Sequence, residues 1–364
     1  NTLQELRRLD EAIASYTQAI ALKPDYAKAH NNLGNTLKQK GRLGEAIASY
    51  TQAIALKPNF AQAYVNFGLT IKNVRYKSSN PELYTPLTQL LTAKSFTRPK
   101  DIAKSILSLL KHDPHIKNLL PKENFAVSLN EAIFIIEVLD RFPLLHYLMR
   151  LNPLPELRFE ELFVAMRNLL LNNLDKMEAS PELIYFLSTL SIHCFVNEYV
   201  YFESDEETLL INELQAKINH TITQSAQPKV IETLCLATYR PLHHYDWCQK
   251  LNVLDHLTDV KARLIEQPLA ERMIAKDVPV LEEISDKVSV KVRKQYEENP
   301  YPRWEKLGTL LQTKSISDVC SELKLYLHSE SIKNVTAPAI LIAGCGTGQH
   351  SIEVASRFST CHVT

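Results

Sequence analysis

The residues best placed to do chemistry are three glycines near the C-terminus, Gly344, Gly346 and Gly348, spaced as G-x-G-x-G. An apolar run at 339–343 leads straight into them and reads as a buried parallel strand. Residues 349–358 follow with helical periodicity, Ile352, Val354, Ala355 and Phe358 forming the apolar side. Residues 361–364 begin a second extended stretch. Strand, glycine turn, helix and strand make the opening half of a doubly wound nucleotide-type fold. In that setting Gly344 allows the tight turn, Gly346 admits a ligand to the backbone, and Gly348 permits close packing of helix on strand. The competing reading is an ordinary strand-to-helix turn. A mononucleotide phosphate loop ends in Gly-Lys-Ser/Thr, whereas Gln349 follows Gly348 here. A dinucleotide cradle reads G-x-G-x-x-G, one residue longer. S-adenosyl-L-methionine has no pyrophosphate to seat and suits the shorter spacing; a nicotinamide-dependent oxidoreductase stays open as a third reading.

The remaining candidates carry less chemistry. His243 and His244 are adjacent, so on a helix they would point about 100° apart, a poor shared ligand set. His112 and His115 flank the turn Asp113–Pro114. The six cysteines, Cys194, Cys235, Cys248, Cys320, Cys345 and Cys361, form no CxxC. Neither a metal site nor a disulfide framework is predicted, and a reducing cytoplasm is the expected location. The aromatic segment Tyr185, Phe186, Phe195, Tyr199, Tyr201, Phe202 has no basic interleaving and reads as core rather than a base-stacking platform.

The elements around these residues are mostly helical. In the first 76 residues, GEAIASYTQAIALKP (44–58) repeats LDEAIASYTQAIALKP (9–24) at an offset of 34, Glu11 matching Glu45 and Tyr16 matching Tyr50. Period and residue types resemble the tetratricopeptide repeat, two antiparallel helices per unit. Ala46 and Ala53 share a face that lets the helices approach, and Tyr50 fills the gap. Gly34 recurs as Gly68, where a side chain would block a neighbour; Gly41 ends one helix and Pro58 another. A concave partner-binding surface is expected, with Asn31, Asn32, Asn35 and Lys38 as its polar candidates; plain solvation of a helix face explains the same residues. About three repeats are needed for stability, so either more repeats precede these or the following helices cap them.

Residues 81–286 read as an all-helical middle domain, with helices at 101–110, 124–141, 159–172, 181–200, 206–219, 229–237 and 257–274. Ser180 before Pro181 makes a cap, and Ser204 opens an acidic first turn. Over the whole chain of 364 residues, Lys plus Arg equals Asp plus Glu at 41 each, which removes the basic footprint of a general nucleic-acid-coating protein. No apolar run reaches the 18 or so residues of a membrane span. From 287 the composition shifts again. A charged amphipathic helix, KVSVKVRKQYEE (287–298), ends at Asn299, Pro300, Tyr301, Pro302, Arg303 and Trp304, a rigid element rather than a linker. Residues 323–328 read as a helix end and 331–338 as a loop.

Together these stretches resemble a narrower family. ILIAGCGTG (340–348) is similar to motif I of class I S-adenosylmethionine-dependent methyltransferases. VRKQYEENPYPRW (292–304) and LSIHCFVNEYVYFESDEE (190–207) resemble segments of the bacterial members that carry N-terminal tetratricopeptide repeats. The resemblance implies a multidomain chain: all-α repeats at 1–76, the helical middle domain at 81–286, and the first part of an α/β Rossmann-like methyltransferase domain at 287–364. It implies that Ala343, Gly344, Cys345, Gly346, Thr347 and Gly348 line the cofactor. Ala343 stands where the wider superfamily often has an acid. Tyr296, Asn299, Tyr301 and Trp304 would cover the cofactor or the substrate entrance; simple packing is the alternative. Asn299–Pro302 is also similar to the Asn-Pro-Pro-Tyr motif of amino-methylating DNA enzymes, but there an apolar strand precedes it and here a charged helix does. The acid that holds the cofactor ribose falls about 20 residues past the turn, at Thr364 or beyond, so the chain is expected to be a fragment cut inside its catalytic domain and inactive alone. The whole protein is expected to transfer a methyl group by direct displacement, by proximity and orientation, to an acceptor gathered by the repeats. The rival expectation is a non-catalytic interaction scaffold.

Overall fold

The computed structural model describes residues 2–93, 97–121, 127–277, 285–298, 303–308, 313–342, 346–358 and 360–364. They are mostly helical, with two short strands. Two compact units are present: Asn1–Tyr76 with Asn80–Ile106 and Trp304–Thr364, and Leu107–Arg303 with Lys77–Ser79.

The first unit opens with helices α1 (Thr2–Leu22), α2 (Ala27–Gln39), α3 (Leu43–Leu56) and α4 (Ala61–Ile71), each packed on the next. The expected small-residue seam is present: Ala46, Tyr50 and Ala53 on α3 are fully buried. The α2 helix closes at Gly41 (φ 78°), where Gly41 N–H reaches the Lys38 carbonyl and Arg42 N–H the Leu37 carbonyl, a Schellman turn. On α1 the matching residues Ala12, Tyr16 and Ala19 are only half-buried, because α2 covers them from one side. Past α4 the repeat pattern fades into α5 (Tyr84–Thr92) and α6 (Pro99–Leu110). These residues cap the array: Thr97 fills the space a Cβ on Gly68 would need, and the Ser105 hydroxyl donates to the Ile71 carbonyl at 2.5 Å.

The second unit contains α7 (Pro114–Leu119), α8 (Leu129–Asp140), α9 (Pro143–Leu151), α10 (Leu157–Asn172), α11 (Pro181–Val196), α12 (Asp205–Thr223), α13 (Val230–Ala237), α14 (Thr258–Lys261), α15 (Gln267–Lys276) and α16 (Lys287–Glu298). Helix α11 is apolar around its whole circumference and is the centre of the unit, in contact with α8, α9 and α13. It stops at Val196 rather than at 200, because Glu198 and Tyr199 turn into the left-handed region (φ 58° and 54°). Capping boxes Ser128/Glu131 and Ser204/Glu207 start α8 and α12, and Ser180 caps α11. A π-turn at Ala262–Glu266 joins α14 to α15 just before Pro268.

The chain then completes the first unit with α17 (Ile316–Leu323), α18 (Glu330–Lys333), β1 (Ala339–Ile340), α19 (Gln349–Arg357) and β2 (His362–Val363). Two sequence expectations are corrected here. Helix α17 ends at Leu323, where Lys324 turns left-handed (φ 53°), and α18 interrupts the expected loop. The strand is also not buried on both faces: Leu341 is 78% exposed and Ile352 on α19 is 45% exposed.

Candidate functional site

Strand β1 pairs in parallel with β2, Ala339 opposite His362 and Ile340 opposite Val363, with α19 as the crossover. Two further ladder bonds, Ile342 N–H to the Thr364 carbonyl and Thr364 N–H to the Ile340 carbonyl, extend the pairing. Parallel strands require such a crossover, and it brings the glycine turn to the C-terminal end of β1, where ligands sit in open α/β sheets. Gly346 and Gly348 take φ of 55° and 77°, which a side chain rarely tolerates. A Cβ built on either meets nothing within 4 Å. The space beside these two Cα atoms is open, room that a ligand lying against the backbone would use. The Trp304 indole N–H donates to the Thr347 carbonyl at 3.1 Å.

Four predicted site residues are thus brought together: Gly346, Thr347, Gly348 and Trp304. Ala343, Gly344, Cys345, Asn299 and Tyr301 lie outside the described residues. Tyr296 belongs to α16, its side chain likewise outside them.

The repeat surface is smaller than expected. Asn31 is buried and accepts a hydrogen bond from the Asn66 amide at 2.9 Å, one repeat further on. Asn35 accepts from the Tyr50 hydroxyl at 2.9 Å. Asn31 ties one repeat to the next and Asn35 braces the two helices of one repeat, which leaves exposed Asn32 and half-buried Lys38 of the four. Sequence reasoning missed a cleft of about 260 Å³ lined by Gly68 and Leu69 of α4, Lys72 just past it, Arg98 and Asp101, and Glu353 of α19. Arg98 spans it, donating to Asp101 and to Glu353, each at 2.9 Å. No local motif announces this pairing, since its residues lie 255 positions apart.

Three histidines of the second unit, His146, His193 and His243, are buried in its packing. His193 bonds the Met149 carbonyl at 2.9 Å and the Tyr201 hydroxyl at 2.7 Å; His146 bonds Thr189 and the Leu139 carbonyl, both at 3.1 Å. His243 packs edge-on against the Phe195 ring, centroids 5.9 Å apart, with its Nδ1 buried. Burial lowers the pKa of all three to about 4, so they are neutral at pH 7. No group of three or more His, Cys, Asp or Glu among the described residues is arranged to hold a metal ion. Of the aromatic segment, Phe186, Phe195 and Tyr201 are core, whereas Phe202 is 71% exposed.

Comparison with protein families matches residues 5–41 and 34–73 to the TPR repeat, so the N-terminal helices are tetratricopeptide repeats of the kind that mediates protein interactions. Comparison with curated proteins returns no match. No helix among the described residues is long and apolar enough to cross a membrane.

Proposed function

We propose that the chain is part of an S-adenosyl-L-methionine-dependent methyltransferase whose tetratricopeptide repeats gather a protein or peptide acceptor. The observation that supports this reading is the parallel β1–α19–β2 crossover with a doubly left-handed glycine turn at the C-terminal end of β1. When bound, the cofactor supplies a methyl group on a sulfonium. The residues of this chain contribute a backbone surface at Gly346–Gly348 against which it lies. The acceptor half rests on the repeats, whose outer polar residues Asn32 and Lys38 remain available.

The second reading, an interaction scaffold without catalysis, is favoured by the family match being confined to the repeats. Calorimetry with S-adenosylmethionine on the product of the whole gene separates the two. Gly346→Val would put a branched side chain into the ligand's space and force a β-branched residue into left-handed backbone. Binding by wild type and its loss in G346V, with circular dichroism unchanged, is the expected result. Equal affinity in two equally folded proteins would remove the turn from the cofactor site.

A further inference from the structure

We infer that Trp304 is a positioning residue that fixes the glycine turn through its indole N–H, rather than a ring that shields the cofactor. The inference deepens the cofactor reading above and rests on it. Indole has a single N–H donor and no acceptor, and here it is spent on the Thr347 carbonyl at 3.1 Å. Thr347 sits between two glycines in left-handed backbone, the part of the turn with the most conformational freedom to lose. A bond at that carbonyl restrains both flanking peptides at once.

The tryptophan is itself mounted on a fixed segment. Lys306 donates to the Leu91 carbonyl, Leu307 is buried, and a Cβ on Gly308 would stand 3.4 Å from Arg98. Arg98 also holds the far side of the turn, through Glu353 on α19, and Lys100 bonds Gln349 at the start of α19 at 3.1 Å. Leu91, Arg98 and Lys100 therefore anchor both the segment that carries the indole and the helix, and the turn is held between them. Restraining a loop in its binding conformation raises affinity by reducing what must be ordered on binding.

Trp304→Phe retains a ring and deletes the donor. In the ligand-free protein, amide hydrogen exchange over 346–352 should be roughly 3- to 10-fold faster in W304F than in wild type, the worth of one hydrogen bond, with α3 unchanged as a folding control. Equal exchange overturns the inference. The whole-gene product is then titrated with S-adenosylmethionine by calorimetry. W304F should weaken that binding roughly 3- to 10-fold, and an unchanged Kd overturns the inference. If wild type binds no S-adenosylmethionine, the proposed function fails, and the ligand-free exchange measurement still decides the role of Trp304.

Discussion

The Tyr50 ring occupies the space that a side chain on Gly34 would fill: a Cβ built there stands 2.6 Å from the ring carbon Cε1. Tyr50 is fully buried and its hydroxyl is tied to Asn35, so the ring has nowhere to move. Gly34→Ala should therefore destabilise by about 1–3 kcal/mol through overpacking, despite the roughly 1 kcal/mol that alanine gains over glycine in a helix. Gly44, in the first turn of α3, faces open space. Gly44→Ala should leave stability unchanged or raise it. Opposite signs in the two urea midpoints are the expected outcome, and equal shifts would mean that the α2–α3 contact is not this close.

Ala46 tests the other side of the same seam. It is fully buried on α3, so Ala46→Leu adds three carbons where no room exists and should cost about 1–3 kcal/mol. A melting midpoint equal to wild type would place Ala46 on the wrong face.

In the second unit the Arg167 guanidinium lies 3.9 Å from the centroid of the Tyr239 ring and donates to the carbonyls of Thr238 and Phe202. The Tyr239 hydroxyl in turn donates to Glu207 at 2.6 Å, so a buried cation and a buried carboxylate share one ring. Arg167→Ala removes the donors from the two carbonyls and should cost about 1–3 kcal/mol for each one left unsatisfied. Arg167→Lys should not restore stability, because an ammonium cannot stack on the ring and fork to two carbonyls together. Full rescue by lysine would reduce the interaction to charge alone.

The repeats were legible because an offset of 34 residues fixes which small residues must face which ring; Gly34, Ala46, Tyr50 and Ala53 fall where that spacing puts them. The role of Asn31 was hidden, since its partner Asn66 is one repeat away and a polar residue on a helix reads as solvated. Helix α9 escaped detection although its amphipathic period is intact, because its nine residues are fewer than the window over which such a period is read. The start of α8 was signalled by the box Ser128-x-x-Glu131, and the periodic pattern alone ran it back to 124. The end of α11 was not signalled at all: Glu198 takes a left-handed turn without being glycine, held by an ion pair to Arg303 that only the tertiary fold supplies. At the candidate site the glycine spacing was visible. The bond from Trp304 to Thr347 was not, because it joins residues 43 positions apart.

Acid should unfold the helical unit through its histidines. His146, His193 and His243 are neutral in the fold, burial having lowered each pKa from 6.5 to about 4. In the unfolded chain they take up protons near pH 6.5. Between these limits the unfolded state binds more protons than the native state, so stability rises with pH and falls as pH drops from about 6.5 towards 4. Each histidine contributes a slope of up to about 1.4 kcal/mol per pH unit in that window. Urea midpoints should fall from pH 7.5 to pH 6 and fall further, more steeply per pH unit, from pH 6 to pH 5. His146→Gln should lose stability at pH 7.5, because its bonds to Thr189 and the Leu139 carbonyl are rebuilt imperfectly. Its midpoint should nonetheless fall less steeply between pH 6 and 5 than that of wild type, since one proton fewer is taken up on unfolding. A wild-type midpoint independent of pH over this range would mean that these imidazoles are not held neutral, and parallel slopes for wild type and H146Q would remove His146 from the effect.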